Sequence, residues 1–86
     1  MSRVEKIHAA LLAAFPDARV TVQDDSHLHA GHAGAASGRG HFRVCIVSAA
    51  FTGLPPIARH RAVYAAVDAL MQTDIHALSI DTQTPH

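Results

Sequence analysis

Histidine is the residue type that stands out as a source of chemistry in this chain. The 86 residues include eight histidines but only one cysteine. An imidazole gains a proton near neutral pH and, when neutral, binds transition metals through either ring nitrogen. The formal net charge is zero with histidine neutral, so the chain becomes cationic below about pH 6. The histidines therefore indicate either a metal site or a surface sensitive to mild acid.

Three of these histidines lie in one segment rich in glycine and alanine, residues 25–40. His27, His29 and His32 lie within it, and His41 follows it directly. The segment has no apolar periodicity, and a loop of this length in a small domain is usually functional or mobile. The spacing His-x-His-x-x-His matches no strict metal motif, so metal ligation and simple solvation both remain open.

The elements that must position these histidines begin with a helix and a strand. Ser2 and Glu5 have the spacing of a capping box, and apolar residues recur from there at helical intervals. Pro16 ends the helix near residue 14 or 15, because the residue before a proline avoids helical geometry. Residues Arg19 to Asp24 then alternate between polar and apolar types, which predicts a half-buried strand.

The rest of the chain predicts a strand, a helix and a strand. His41 to about Ser48 alternates around an apolar face, and Ala77 to Thr82 does the same with Leu78 and Ile80 directed inward. Between them, two prolines suit the first turn of a helix that we expect to end near Met71. The helical stripe predicted to be buried comprises Ile57, His60, Tyr64, Val67 and Met71.

This order predicts one α+β domain over residues 1–86, with αββαβ topology and helices packed on one face of a three-stranded mixed sheet. The first two strands form an antiparallel hairpin, and the third runs parallel to the second. The long segment and the start of the third strand then share one end of the sheet. Asp25, His41 and the loop histidines are therefore expected near His76. A metal requires imidazoles gathered in this way.

A second group of candidate residues is basic. Arg59, His60 and Arg61 follow one another in the predicted helix, and Arg43 lies in the second strand. They are candidates for binding an acidic partner or nucleic-acid phosphates, although an ordinary solvated helix face explains them equally well. His60 also fits a packed histidine on an apolar stripe. Seven basic residues balance seven acidic ones, which disfavours non-specific phosphate binding.

Several classes of function are disfavoured. Asp25, Ser26 and His27 are neighbours in sequence, whereas a catalytic triad brings together separate elements around an oxyanion site, so we expect no enzyme activity. A single cysteine, Cys45, cannot form an internal disulfide, which suggests a reducing compartment. The N-terminus lacks a long apolar run, so we expect a cytoplasmic protein without membrane association.

Short runs spread over nearly the whole chain resemble the BolA family. Their order and spacing together carry the resemblance. The runs are Asp24-Asp25-Ser26, Gly40-His41-Phe42-Arg43-Val44, Ile46-Val47-Ser48, Phe51-x-Gly53-Leu54, Arg59-His60-Arg61-x-Val63-Tyr64, Ile75-His76-Ala77-Leu78-Ser79-Ile80 and Thr84-Pro85.

The resemblance implies a fold similar to type II KH domains and a monothiol glutaredoxin as partner. Such a heterodimer can hold a bridging 2Fe-2S cluster shared with glutathione, in iron-sulfur trafficking or iron regulation. The family's histidine before the last strand maps to His76. Its loop ligand maps best to His29, with His32 as second choice and His27 also available.

The resemblance also keeps a second function open, because some family members are described as transcriptional regulators that bind DNA. The turn Phe51-Thr52-Gly53-Leu54 lacks the second glycine of the KH clamp that grips the nucleic-acid backbone. Without its partner, the chain is expected to be a monomer or a weak homodimer.

Overall fold

A computed structural model describes residues 1–26 and 39–85 of the chain. The described residues form three α-helices, a short 3-10 turn and three strands. In chain order these are α1 (Arg3–Ala14), β1 (Arg19–Asp24), β2 (Gly40–Val47), the 3-10 turn (Ala49–Phe51), α2 (Pro56–Ala66), α3 (Asp68–Thr73) and β3 (Ile75–Gln83). The predicted first helix and all three strands are confirmed, with β2 beginning one residue early and β3 two residues early.

The sheet has the predicted mixed topology, with strand order β1-β2-β3. β1 and β2 are antiparallel, and their register places Arg19 opposite Val47 and Asp24 opposite Phe42. β2 and β3 are parallel, starting from the pair Gly40 and Ile75. The N-terminal ends of β2 and β3 therefore lie side by side, next to the C-terminal end of β1.

The core lies between one face of this sheet and the helices. Alternate residues of β2 are buried, as predicted. α1 contributes the buried side chains of Ile7 and Leu11, and α2 contributes that of Val63. Residues such as Arg43, Ser79 and Asp81 lie exposed on the opposite face, which we call the outer face. The α+β class with helices on one face is thereby confirmed. The buried hydrophobic residues are Ile7, Leu11, Phe15, Phe42, Val44, Ile46, Phe51, Val63, Val67 and Ile75.

The predicted second helix is in fact two helices, and its predicted buried stripe is largely wrong. The chain leaves helical geometry at Val67, whose N–H is shared between the carbonyls of Val63 and Ala65, and a new helix starts at Asp68. Val67 is buried as predicted and Met71 is partly buried, but Ile57 is 62% exposed and Tyr64 41% exposed.

The correct stripe of α2 follows its small residues. Val63 and Val67 are buried, and Ala62 and Ala66 pack against the core beside them. Alanine has a short side chain, which allows a helix to pack closely against a sheet. The helix face that contains these alanines therefore faces the core, although its side chains have less apolar area. The larger side chains of Ile57 and Tyr64 remain outside.

Local capping explains where α1 begins. The hydroxyl of Ser2 accepts a hydrogen bond from the Glu5 N–H, and the Glu5 carboxylate accepts one from the Ser2 N–H, each at 3.1 Å. This is the predicted capping box. The bond from the Ser2 N–H is the largest cause that lowers the pKa of the Glu5 carboxyl, followed by the Ser2 hydroxyl. Within the described ranges, no helix has the length and apolar character needed to cross a bilayer.

Candidate metal-ligating site

Two histidines from different strands contact each other at the end of the sheet where β2 and β3 begin. The ring centroids of His41 and His76 are 5.2 Å apart, and the ring planes are tilted by 54°. His41 is partly buried and His76 is exposed. The prediction that His76 lies beside the residues flanking the long segment is therefore confirmed for His41.

A β-bulge explains why both imidazoles reach the same place. Gly40 pairs with Ile75, but His41 pairs with Ala77, so His76 is an extra residue in β3 without a counterpart in β2. A bulge changes the direction of a side chain and is common beside functional sites. Here Ile75 is buried while both His76 and Ala77 are exposed, so the bulge brings His76 to the outer side of the sheet.

Backbone hydrogen bonds fix both stems of the long segment at this end of the sheet. The Asp25 N–H donates to the His41 carbonyl at 2.8 Å, and the His41 N–H donates to the Ser26 hydroxyl oxygen at 3.1 Å. The Gly40 N–H donates to the Asp74 carbonyl at 2.9 Å. The chain thus enters and leaves residues 27–38 beside the start of β3.

The three loop histidines lie outside the described residues. His27, His29 and His32 are all in the range 27–38. Their proximity to His76 stays a prediction, supported by the position of the stems. The choice among the three as ligand stays open for the same reason.

Gly40 is required by close packing at the stem. A Cβ added there would lie 2.6 Å from the Ser26 Oγ and 2.7 Å from the Phe42 Cε2 atom. Both distances are too short for atoms that are not bonded. We expect Gly40→Ala to lower the free energy of unfolding by about 1–3 kcal/mol, because these groups must move to admit the methyl. Denaturant unfolding measures this change.

Gly53 offers a matched control for that substitution. Its φ is +80°, and a Cβ there would meet nothing within 4 Å. Gly53→Ala should also cost stability, about 1–2 kcal/mol, through its backbone conformation. It should nevertheless leave the ring NMR signals of His41 and His76 unchanged, whereas Gly40→Ala should shift them. Equal shifts in the two variants would contradict a steric role for Gly40 at the site.

Asp74 anchors the start of β3 to α1. Its carboxylate is buried, 3.2 Å from the Lys6 Nζ and 3.5 Å from the Arg3 Nε, and it accepts a hydrogen bond from the Thr73 hydroxyl. The Thr73 hydrogen bond, followed by Lys6 and Arg3, lowers the pKa of the Asp74 carboxyl despite its partial desolvation. The ionised form is therefore more stable in the folded chain than in the unfolded one.

This lowered pKa predicts a specific acid dependence of stability. The stabilisation from Asp74 is complete above the unfolded pKa of about 3.9 and is lost as the pH falls through the lower folded pKa. Urea unfolding between pH 7 and pH 2 should therefore show a smaller acid loss in Asp74→Asn than in the unsubstituted chain. Thr73→Val, which removes the largest cause, should give an intermediate result. An unchanged acid profile in Asp74→Asn would contradict this role.

The outer face next to the histidine pair has a concave region with a mixed polar and apolar lining. A cavity of about 410 Å³ is lined there by Asp25, His41, Phe42, Arg43, Ala77, Leu78 and Ser79. The Arg43 guanidinium lies 3.6 Å from the Asp25 carboxylate, which also accepts a hydrogen bond from the Gln23 amide at 2.8 Å. The positive charge of Arg43 is thus offset by a buried carboxylate.

Cys45 is a poor candidate for metal binding. It lies four residues from His41 on β2, a distance of about 13 Å along an extended strand. Burial raises the pKa of its thiol, and so do a hydrogen bond to Asp81 and that carboxylate's charge. A thiol with a raised pKa stays protonated at neutral pH, while a metal ligand must be a thiolate.

The four predicted basic residues do not form one surface. Arg43 lies on the outer face of the sheet, whereas Arg59, His60 and Arg61 belong to α2 on the helical side. The Arg59 Nε donates to the Leu54 carbonyl at 2.8 Å, which ties α2 to the preceding turn. His60 is exposed, so its interpretation as a packed core histidine is wrong, since the buried stripe of α2 passes through Val63 instead.

The residues present fit a metal or cluster that takes ligands from more than one chain segment. Among the described residues, no group of three or more histidine, cysteine or acidic side chains is placed to hold a metal ion. The site nonetheless offers the imidazoles of His76 and His41 in contact. His41 was expected at this end of the sheet but was not predicted to be a ligand. The expectation came from the strand order, because His41 begins the predicted second strand and His76 precedes a third strand parallel to it.

The fold and the site together define a small α+β domain with a mixed sheet, helices on one face and a histidine pair at one sheet end. A family model described as BolA-like protein matches residues 11–86. An uncharacterized protein of a Sinorhizobium species is 39% identical over 87 residues, covering 99% of this chain and 94% of the relative. The chain belongs to the BolA-like protein family.

Two further similarities support this assignment. The DNA-binding transcriptional regulator BolA of Escherichia coli K12 is 39% identical over 80 residues, covering 93% of this chain and 73% of the relative. The solved structure of BolA1 from Arabidopsis thaliana superposes with a TM-score of 0.83 at 35% identity, covering 99% of this chain and 94% of that one. Both the fold and the family are therefore shown.

Proposed function

We propose that this BolA-like protein is a non-enzymatic cytoplasmic adaptor that pairs with a monothiol glutaredoxin and shares ligation of a bridging 2Fe-2S cluster. The observation that carries the proposal is the contact between His41 and His76 at the sheet end from which residues 27–38 depart. His76 is the first ligand from this chain. His29 is the preferred second ligand, followed by His32 and then His27.

The chemistry of the donors supports this division of ligands. Histidine can replace thiolate on one iron of a 2Fe-2S centre, which raises the reduction potential. The glutaredoxin cysteine and glutathione then supply sulfur to the other iron. The exposure of His76 leaves its imidazole accessible to a partner, and the protonated thiol of Cys45 lies too far along β2 to take part.

Reconstitution tests the proposal. The protein is mixed with a monothiol glutaredoxin, glutathione, iron and sulfide, and the product is separated by size-exclusion chromatography. We expect a heterodimer whose visible absorption and circular dichroism differ from those of the cluster-bound glutaredoxin homodimer. Separate His27→Gln, His29→Gln and His32→Gln variants then identify the loop ligand as the one whose loss removes the difference. A mixture that yields only the homodimer would overturn the partnership.

A second function, DNA binding, is favoured by one observation. The Escherichia coli relative carries the name DNA-binding transcriptional regulator. In this chain, Arg61 is exposed on α2 beside His60 and offers a positive charge to a phosphate. The balanced net charge argues for weak binding.

Fluorescence anisotropy with duplex DNA separates the two functions. Regulation by DNA binding predicts an affinity that depends on sequence, falls with salt and is lost when Arg59 and Arg61 are both changed to alanine. Because Arg59 also holds the Leu54 carbonyl, Arg61→Ala alone is the cleaner variant. If the protein binds no duplex DNA even at low salt, the adaptor function is the only one of the two that remains.

A further inference from the structure

We propose that His41 and His76 together bind one divalent transition-metal ion, of the zinc class, in the free protein. This site needs neither glutaredoxin nor a 2Fe-2S cluster, so it does not depend on the proposed partnership. It also uses His41, a residue of strand β2, rather than a histidine of residues 27–38.

The separation of the two rings matches what a shared ion requires. Zinc lies 2.0–2.1 Å from an imidazole nitrogen, which places the ion about 3.2 Å from the ring centroid. Two imidazoles on one tetrahedral ion therefore have centroids about 5.2 Å apart. The His41 and His76 centroids are 5.2 Å apart with tilted planes. Coordination then requires that one nitrogen from each ring be directed at a common point.

The backbone around the pair holds this separation without the metal. The main chain of His41 is bonded on both sides, its N–H to the Ser26 hydroxyl and its carbonyl to the Asp25 N–H. The bond from the Gly40 N–H to the Asp74 carbonyl joins β2 to the start of β3. Because the strands are already in register, binding costs mainly the rotamer freedom of two side chains.

The surroundings permit a cation to bind. Two described arginines flank His41 in sequence. The Arg43 guanidinium lies 3.6 Å from the Asp25 carboxylate, and the Arg39 guanidinium donates to the Met71 carbonyl at 3.2 Å. His76 is exposed, so water molecules can complete the coordination shell. Two imidazoles and water favour metals in the order Co²⁺ < Ni²⁺ < Cu²⁺ > Zn²⁺. We therefore expect Cu²⁺ to compete with Zn²⁺ for the site.

The test removes the three histidines of residues 27–38, which could compete for the metal. A background chain with His27, His29 and His32 changed to glutamine is titrated with ZnCl₂, following the histidine ring signals by ¹H–¹⁵N NMR and the heat by calorimetry. The ring nitrogens of His41 and His76 should shift together at one equivalent. His41→Gln and His76→Gln should each weaken binding at least tenfold, because one imidazole alone lacks the chelate partner. His60→Gln, an exposed histidine on α2, is the matched control and should leave the affinity unchanged.

Two outcomes would overturn the proposal. The first is a background chain in which the His41 and His76 rings do not shift with Zn²⁺ while the protein remains folded by its amide spectrum. The second is retention of full affinity in His41→Gln or in His76→Gln. Because the ring signals are followed in a chain that keeps both histidines, a folding defect in either variant does not prevent the test.

Discussion

Substitution of His76 by alanine is expected to abolish the mixed cluster while leaving the protein folded. His76 is the extra residue of the bulge at the start of β3, and its side chain is exposed. Its loss therefore removes an imidazole from the surface without opening a cavity in the core. With glutaredoxin, glutathione, iron and sulfide, the visible spectrum should be that of the glutaredoxin homodimer alone.

His60→Ala is the control for this experiment. His60 is also an exposed histidine, but it lies on α2 at the helical side of the sheet. It should give the same mixed-cluster spectrum as the unsubstituted chain, and both variants should unfold at similar urea concentrations. A mixed-cluster spectrum that survives in His76→Ala would show that the ligand from this chain lies elsewhere.

Substitution of Phe51 by alanine is expected to destabilise the domain by about 3–5 kcal/mol. Phe51 is fully buried, and its ring centroid lies 5.1 Å from that of Phe15. It occupies the 3-10 turn after β2, where it joins the end of α1 to the core. Domains of this kind are stable by only about 5–15 kcal/mol in total. Thermal or urea unfolding should therefore show a large fraction of the stability lost.

Leu54→Ala tests whether this loss comes from burial. Leu54 lies three residues beyond Phe51 in the same connection but is 37% exposed. Its truncation should cost less than half as much, because part of its surface already contacts water. Similar losses in the two variants would contradict the assignment of Phe51 as a central core residue.

The strands and the first helix could be predicted because each carries a complete local signal. Residues Arg19 to Gln23 of β1 alternate between polar and apolar types, and the sheet confirms that Phe42, Val44 and Ile46 are the buried face of β2. The capping box at Ser2 fixed the start of α1. Once the strand order was known, the placement of His76 beside the stems of the long segment followed from topology alone.

The buried face of the second helical region could not be predicted in the same way, because alanine contributes little to a hydrophobic pattern. The expected stripe followed the large residues Ile57 and Tyr64, while the structure buries Val63 and Val67 beside small alanines. The break at Val67 also has no proline or glycine to announce it. The arrangement is decided by packing against the sheet, which local spacing does not report.

The contact between His41 and His76 likewise could not be predicted from local sequence patterns. It depends on a register shift between β2 and β3 at Gly40 and His41, and register in a parallel pair is a property of two distant segments. The sequence predicted the shared end of the sheet, but the bulge that brings the rings to 5.2 Å required the folded chain. The identity of the loop ligand stays a prediction.

The most direct test of histidine ligation is electron–nuclear double resonance on the reduced heterodimer, with this chain labelled by ¹⁵N-histidine and glutaredoxin unlabelled. Ligation by His76 and a loop histidine predicts a strong ¹⁵N coupling to the mixed cluster, whereas the His76→Ala mixture should give only the uncoupled spectrum of the glutaredoxin homodimer. A reduced mixed cluster with no coupling to any labelled histidine nitrogen would contradict it.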